Sequence, residues 1–507
     1  MVMLKHFQLW LLAGFALTVF VRAQDQTGFI SLDCGLPQNS SYNERTTNLY
    51  YISDATFIDT GISKTILPQF QTNDKQQLWQ VRSFPEGVRN CYHIRIKGGV
   101  RYLIRGTFMY GNYDAGNNLP EFELHLGPNM WDSVKLKDAS TVMYKEIIHV
   151  PSLNYIHFCL VNTGSGTPFI STLELRPLPN DTYESESGSL ALYARIDTGT
   201  ITNQTFRYKD DIFDRIWRPY TSNDQWTPLS TSLTVKSSQN PYEPPSGVMS
   251  TAATPTNVNA SLDFYLNVPA DNASGYYVYM HFADVEKLHG KQYRAFNINV
   301  NGEFWYGPVV PYYLYTNIIY STSPITGGKY QFSLQKTENS TLPPIINAFE
   351  AYKVLQLTQS PTEQGDVDAV VSVKLMYGVT RNWQGDPCAP KAYVWDGLQC
   401  SYDGYNSPRI ISLNLSSSGL TGEIAPYISN LTMIQSLDLS NNSLTGPVPD
   451  FLSQLSSLRV LHLEKNNLNG TVPVQLIEKS NNGSLSLRYV FSITNSDIVI
   501  LDFKEES

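Results

Sequence analysis

Apolar side chains recur along this chain with two different periods, and the change falls at Trp383–Cys400 (WQGDPCAPKAYVWDGLQC). Before that stretch the pattern is short-range alternation. Tyr102–Tyr110 (YLIRGTFMY) and Phe122–Leu126 (FELHL) place every second side chain on one face, which is the period of a half-buried strand. Turns are marked by Gly111-Asn112, Ala115-Gly116 and Gly164–Pro168. After the stretch, up to about Pro473, the apolar positions repeat every 24 residues.

The register of that repeat is unbroken. Ile410, Ile434 and Leu458 open three units, and Leu413/Leu437/Leu461 with Leu415/Leu439/Leu463 form an L-x-L strand core. Asn442 and Asn466 hold the turn position, with Ser418 in the first unit. Leu420/Leu444/Leu468, Gly422/Gly446/Gly470 and Ile424/Val448/Val472 follow, then Pro449 and Pro473. This is a leucine-rich repeat, in which stacked leucines make a continuous core and asparagines bond the backbone between neighbouring turns. Leu485 and Leu487 begin a fourth unit that Val490 and Ser492 do not continue. Val490–Ile493 and Ile498–Phe503 are apolar and β-prone, fit either to pair onto the open edge or to aggregate.

The alternating half is a duplication. Phe122–Leu126 aligns with Phe296–Val300 at an offset of 174, and Trp131 meets Trp305 at the same offset. Tyr102 meets Tyr277 at 175 and Glu174 meets Glu350 at 176. Near-constant offsets predict two similar β-sandwich lobes. Between them and the repeats, Val367, Val370, Val371 and Leu375 form an apolar stripe at helical spacing, predicting a short helix over the first edge of the repeat stack.

Composition and charge narrow the function. The chain has 507 residues, too many for one core, with 42% apolar and 16% charged residues. Its net charge of −9 and lack of any Lys/Arg run argue against a nucleic-acid partner. The apolar run Phe7–Val21 follows Lys5 and His6, and Val21 and Ala23 sit at the −3 and −1 positions of a cleavage site before Gln24, so residues 1–23 read as a signal peptide. No second apolar run follows, and no membrane span is expected after cleavage. Eleven N-x-S/T sites agree with export: Asn39, Asn180, Asn203, Asn259, Asn272, Asn339, Asn414, Asn430, Asn441, Asn469 and Asn482. Disulfides are permitted there. Cys388 and Cys400 are the expected pair, closing a small lid on the repeats, with Cys34–Cys91 a second guess and Cys159 left buried and free.

The order signal peptide, FISLDCG (Phe29–Gly35), duplicated lobes, RNWQGDPC (Arg381–Cys388), WDGLQC (Trp395–Cys400) and repeats resembles the ectodomain of plant malectin-like leucine-rich-repeat receptor-like serine/threonine kinases, the senescence-induced group in particular. The resemblance covers roughly residues 24–487. It implies a mainly β fold, with tandem malectin-like β-sandwich lobes followed by a short leucine-rich-repeat solenoid. The expected divisions are 1–23 signal peptide, 24–179 lobe 1, 180–357 lobe 2, 358–409 connector helix and cysteine-paired cap, 410–487 repeats and 488–507 an atypical tail. In the family a membrane helix and kinase follow. Here the Gly-rich loop, VAIK, HRD and DFG elements are absent, so no kinase activity and no cofactor are expected of this chain, which reads as truncated before them.

The implied role is extracellular recognition of a cell-wall glycan or peptide, signalling in defence or symbiosis with a co-receptor ectodomain. Relatives of full length would sit at the plasma membrane, and this chain in the apoplast. The alternatives are a secreted decoy or co-receptor, or a secreted lectin. A glycan site needs aromatic faces and hydroxyl-binding acids or amides. Tyr110, Tyr113 and Asp114 (in YGNYD) fit best in lobe 1, the plainer reading being turn and core aromatics. Asp284 and Glu286 (in DVEK) are the lobe 2 counterpart, where malectin itself has a turn resembling E-V-Y-F. Pro311–Tyr315 is a weaker glycan candidate, the plainer reading being that its tyrosines pack between lobes. On the repeats, Asn414, Asp438, His462 and Glu464 flank core leucines and so point outward on the concave face. No H-E-x-x-H, metal spacing or G-x-S-x-G occurs, and Asp210-Asp211 reads as a solvated or turn pair.

Overall fold

The computed structural model describes residues 26–185, 188–220, 225–237, 240–268, 274–402 and 407–489. The leader Met1–Ala23, Asn272 and the tail from Val490 onward lie outside the described residues.

The alternating segments fold as two β-sandwiches with the same strand plan. The first supplies β1 (Ile30–Asp33), β2 (Arg89–Arg95), β3 (Arg101–Phe108), β4 (Glu121–Leu126), β5 (Asn129–Lys135), β6 (Met143–His149), β7 (Tyr155–Ser165) and β8 (Thr172–Leu178). The second supplies β9 (Ser189–Asp197), β10 (Leu262–Asn267), β11 (Gly275–Phe282), β12 (Phe296–Val300), β13 (Glu303–Val309), β14 (Asn317–Tyr320), β15 (Lys329–Lys336) and β16 (Ala348–Leu355). One sheet runs through both lobes in the order β1-β8-β3-β6-β9-β16-β11-β14, the lobes meeting where β6 pairs with β9. Each lobe has its own back sheet, β2-β7-β4-β5 in the first and β10-β15-β12-β13 in the second. Between sheets lie Ile104, Phe122, Leu124, Phe158 and Leu173 in lobe 1, and Met280, Phe296, Ile298, Phe332 and Phe349 in lobe 2. Burial of each such side chain is worth about 1.5–3 kcal/mol.

A buried ion network crosses the lobe junction. Arg105 donates to Glu146 and Glu174, each at 3.0 Å, and Arg195 donates to Glu146 at 2.6 Å and Glu350 at 2.9 Å. Glu174 and Glu350, matched in the duplication, are thus the ionic centres of their respective lobes, and Glu146 ties them together. Burial would raise the Glu174 pKa, but Arg207, Arg176 and Arg105 outweigh it and hold the carboxyl low. Asp211 does sit at a turn, its carbonyl accepting from the Asp214 N–H at 3.0 Å, but it is not solvated: its buried carboxylate also accepts from Arg215 and Trp217. All these carboxylates are out of solvent and consumed by donors, so the network is a strut with no room for acid–base work.

The cysteine pairing differs in part from expectation. Cys388 and Cys400 are joined, and so are Cys91 and Cys159, which face each other across β2 and β7. Cys34 is the free, buried thiol. It follows β1 in the shared sheet, whereas Cys91 lies in the back sheet, so the guessed Cys34–Cys91 bond is not formed.

The helix α1 (Gln364–Tyr377) is capped by the Glu363 side chain and stopped at Gly378, whose φ of 60° is the left-handed value glycine favours. Ala369, Val370 and Val373 join the repeat core. Leu375 is 76% exposed, so the buried stripe turns through Val373 rather than Leu375. Below the helix Trp383 and Trp395 stack with centroids 5.0 Å apart. Asp386 holds the following turn, accepting from the Cys388 and Ala389 backbone and from Thr362. The repeat strands are β17 (Leu398–Ser401), β18 (Arg409–Asn414), β19 (Ser436–Asp438), β20 (Val460–His462) and β21 (Ser486–Arg488), paired in that order. Asn442 donates to the carbonyls of Leu415 and Leu439 and accepts from Ser418 and Leu420, bridging successive turns. The fourth unit does form a strand, with Leu485 and Leu487 buried.

Candidate functional site

The parallel register of the repeats builds a polar ladder. Leu413, Leu437, Leu461 and Leu487 point into the core, so their neighbours point out. One row is Asn414–Asp438–His462–Arg488, and the row beside it is Ser412–Ser436–Val460–Ser486. With Gly397 and Gln399 from the cap, most of these residues line a shallow groove on the concave face. His462 Nδ1 lies 3.7 Å from Asp438 Oδ2. Glu464 lies one turn position beyond, and its Oε2 has no hydrogen-bond partner among the described residues. The ladder offers an amide, a carboxylate, an imidazole and a guanidinium at strand spacing, about 4.8 Å per step. That is the chemistry of an extended polar ligand such as a peptide, and Arg488 is the member that sequence reading missed. The signal was present: Leu487 had already been placed in register.

The lobe 1 candidates are not a surface site. Tyr110 is 1% and Tyr113 8% exposed, and both rings pack on Phe169. The Tyr110 hydroxyl donates to Asp114, and Ser83 donates to the Tyr113 hydroxyl at 3.1 Å. Neither ring face is open to a sugar. Only Asp114 reaches solvent, where it also caps the Gly116 N–H. In lobe 2, Asp284 is buried and accepts from Arg294 at 2.9 Å, so its carboxylate is already spent. Glu286 accepts from the same guanidinium at 2.8 Å but is half exposed. The run Pro311–Tyr315 does not pack between the lobes. It lies beside Asp284, whose N–H donates to the Tyr312 carbonyl, and Tyr312 is 64% exposed. Lys236 sits over the Tyr315 ring at 5.4 Å.

A second surface was invisible in the sequence because it joins distant segments. Arg89 in β2 donates to the Ala389 carbonyl at 3.1 Å, and the Cys91 N–H to Gln384 at 3.3 Å. Asn129 and Gln359 exchange two hydrogen bonds, and Lys374 pairs with Asp59 at 2.8 Å. Burial pulls the Arg89 guanidinium down to about 10, with Asp386 and Tyr393 opposing. The cap is therefore bolted to the back sheet of lobe 1. Among the described residues no group of three or more His, Cys, Asp or Glu is placed to hold a metal ion, and no helix is long and apolar enough to cross a membrane. The ten described sequon asparagines are all exposed.

Comparison with known proteins fits this architecture. The malectin-like domain family matches residues 32–354, and the leucine rich repeat family matches residues 433–455. The LRR receptor-like serine/threonine-protein kinase At1g05700 of Arabidopsis thaliana is 54% identical over 484 residues, covering 94% of this chain and 56% of the relative. The A. thaliana LRR receptor-like serine/threonine-protein kinase IOS1 is 45% identical over 433 residues, covering 85% of this chain and 48% of the relative. The chain thus spans about half the length of the curated relatives it matches. Among solved structures, the plant receptor-like kinase ANX2 superposes with TM-score 0.54 at 17% identity, over 65% of this chain and 97% of that one. A complex of the plant peptide RALF23 with FER and LLG2 superposes with TM-score 0.51 at 18% identity, over 66% of this chain and 96% of that one. At such identities these two matches speak to fold alone.

Proposed function

The chain belongs to the malectin-like domain family, and from that premise we propose that it is the extracellular ligand-recognition module of a receptor-like kinase. The observation that carries the reading is the joint architecture. A malectin-like pair of lobes over residues 32–354 is bolted by a cysteine-paired cap to leucine-rich repeats, and an LRR receptor-like kinase aligns over 94% of the chain. Kinase activity would lie in other parts of the longer relatives. The ligand class is a cell-wall glycan or a peptide, with a co-receptor ectodomain as second partner. The peptide side gains support from the RALF23 complex with FER and LLG2, a neighbour in fold, and from the polar ladder on the repeats. The lectin alternative loses ground, since Tyr110 and Tyr113 are core and Asp284 is held by Arg294.

Recognition would work through rigidity. The lobe junction is closed by the Arg105–Glu146–Arg195 strut, and lobe 1 and the repeats share the cap. A ligand touching both lobes and repeats therefore meets one preorganised surface, which lowers the ordering cost of binding. The test is to secrete the full chain from plant cells and measure binding to panels of extracellular peptides, wall oligosaccharides and receptor ectodomains. Peptide or ectodomain binding that falls tenfold or more in His462→Glu supports the reading. Binding confined to oligosaccharides and indifferent to His462 would replace it with the lectin.

A further inference from the structure

Among the ten described sequons, Asn414-Leu415-Ser416 is the one that falls inside the candidate groove. Asn414 is the last residue of β18, is exposed, and lines the concave face with Gln399, Ser436, Asp438 and His462. Its Oδ1 accepts two hydrogen bonds from Ser416, from the N–H at 3.0 Å and the hydroxyl at 2.8 Å. Those bonds fix which way round the amide sits. Its Nδ2 makes no hydrogen bond to the described residues, whereas the Nδ2 of Asn441 donates to Ser417 at 2.7 Å. The same row positions read Asp438-Leu-Ser in the second unit and His462-Leu-Glu in the third, so only the cap-side rung can be modified.

We propose that Asn414 carries an N-linked glycan that roofs the cap-side half of the groove. In the transfer, Nδ2 bonds to the anomeric carbon of a lipid-diphosphate-linked oligosaccharide. The carbon–oxygen bond to the diphosphate breaks, the lipid diphosphate leaves, and Nδ2 gives up one proton to the transferase. The sugar stem then stands one strand from Asp438, about 4.8 Å, two from His462, about 10 Å, and three from Arg488, about 14 Å. A first sugar covers its nearest neighbours Ser436, Asp438 and Gln399, and does not span to the last rung.

The inference rests on the reading that the chain is exported, and the test separates the two. The full chain is secreted from plant cells, deglycosylated enzymatically in heavy-oxygen water and mapped by mass spectrometry for Asn-to-Asp conversion. Carboxylates of the intact glycoprotein and of Ser416→Ala are labelled with a carbodiimide in parallel. The expected result is conversion at Asn414 in most molecules, and Asp438 labelling that rises severalfold in Ser416→Ala while Glu464 labelling stays constant. Asn414→Asp, which keeps an oxygen to accept from Ser416, should behave like Ser416→Ala toward lectin blotting of the groove peptide. Asn414 unmodified while Asn430 and Asn469 carry glycans would overturn the inference and leave export standing. No glycan at any site would overturn export and the inference together.

Discussion

The back sheets of the two lobes are copies with opposite fates. Across lobe 1 the outward row is Cys91–Cys159–His125–Met130. Across lobe 2 it is Asp263–Ser333–Asn299–Phe304. Cys159, His125 and Met130 each match their counterpart at an offset of 174, so the rows are equivalent. The inward faces have kept their chemistry, Phe122 against Phe296 and Leu124 against Ile298. The outward faces have not. Lobe 1 places a disulfide there and covers it with Gln384, Gly385 and Tyr393 of the cap. Lobe 2 has a carboxylate and a hydroxyl in place of the disulfide, and Phe304 is 64% exposed. The core of a sandwich specifies the fold, and the alternate residues, free to change, decide which face becomes an interface.

The largest break in this comparison should come from the disulfide. Cys91→Ala with Cys159→Ala should cost about 2–5 kcal/mol in chemical denaturation, whereas Asp263→Ala with Ser333→Ala should stay within about 1 kcal/mol. Equal costs would mean that the two faces carry equal weight. Next is Gly385→Ala. Its φ is 67°, and an added Cβ would lie 2.6 Å from the Cys91 sulfur and 2.7 Å from Arg89. Overpacking of that kind should cost about 1–3 kcal/mol and open the cap to limited proteolysis. Gly302→Ala, at φ 87° with nothing near its Cβ, pays only backbone strain of about 1 kcal/mol.

A separate effect is in pH, and here the lobes should oppose each other. Burial pushes His149 of β6 down to about 4, so the folded state refuses a proton that the unfolded chain takes below pH 6.5. Its contribution is present above pH 6.5 and is lost as pH falls to 4. Burial pushes Asp197 of β9 up to about 7, against hydrogen bonds from Thr251 and Gly199. The folded state keeps a proton that the unfolded chain releases near the ordinary aspartate value of 3.8, so this stability is present at low pH and lost as pH rises to 7. Melting curves between pH 4 and 7.5 should show Asp197→Asn gaining on the parent as pH rises, and His149→Gln gaining as it falls. Parallel pH profiles for both variants and the parent would show that neither group is linked to folding.

What was legible in the sequence was what repeats. The leucine ladder and the duplicated strands could be read because each buried position is echoed at a fixed distance. Pairing across unrelated segments has no echo. Cys91–Cys159 joins strands 68 residues apart, and Arg89 meets Ala389 across 300. Tyr110 is different, since the sequence held the answer and its plainer reading as a core aromatic holds. Tyr110 shares the parity of Ile104 and Phe108, both core residues, and the alternation that named the strand also turned this ring inward. Its proximity to a turn was the weaker signal. Pro311–Tyr315 failed in the other direction, its tyrosines being held at the surface by backbone bonds to Asp284 and Lys236 that no local pattern records.

The most direct test of the asymmetry is hydroxyl-radical footprinting of the intact secreted chain, read residue by residue. The account predicts rapid oxidation of Phe304 and Tyr265 on lobe 2 and protection of His125 and His157 on lobe 1, with that protection lost in Gly385→Ala. Protection of Phe304 and Tyr265 equal to that of His125, or free oxidation of His125 in the parent protein, would contradict it.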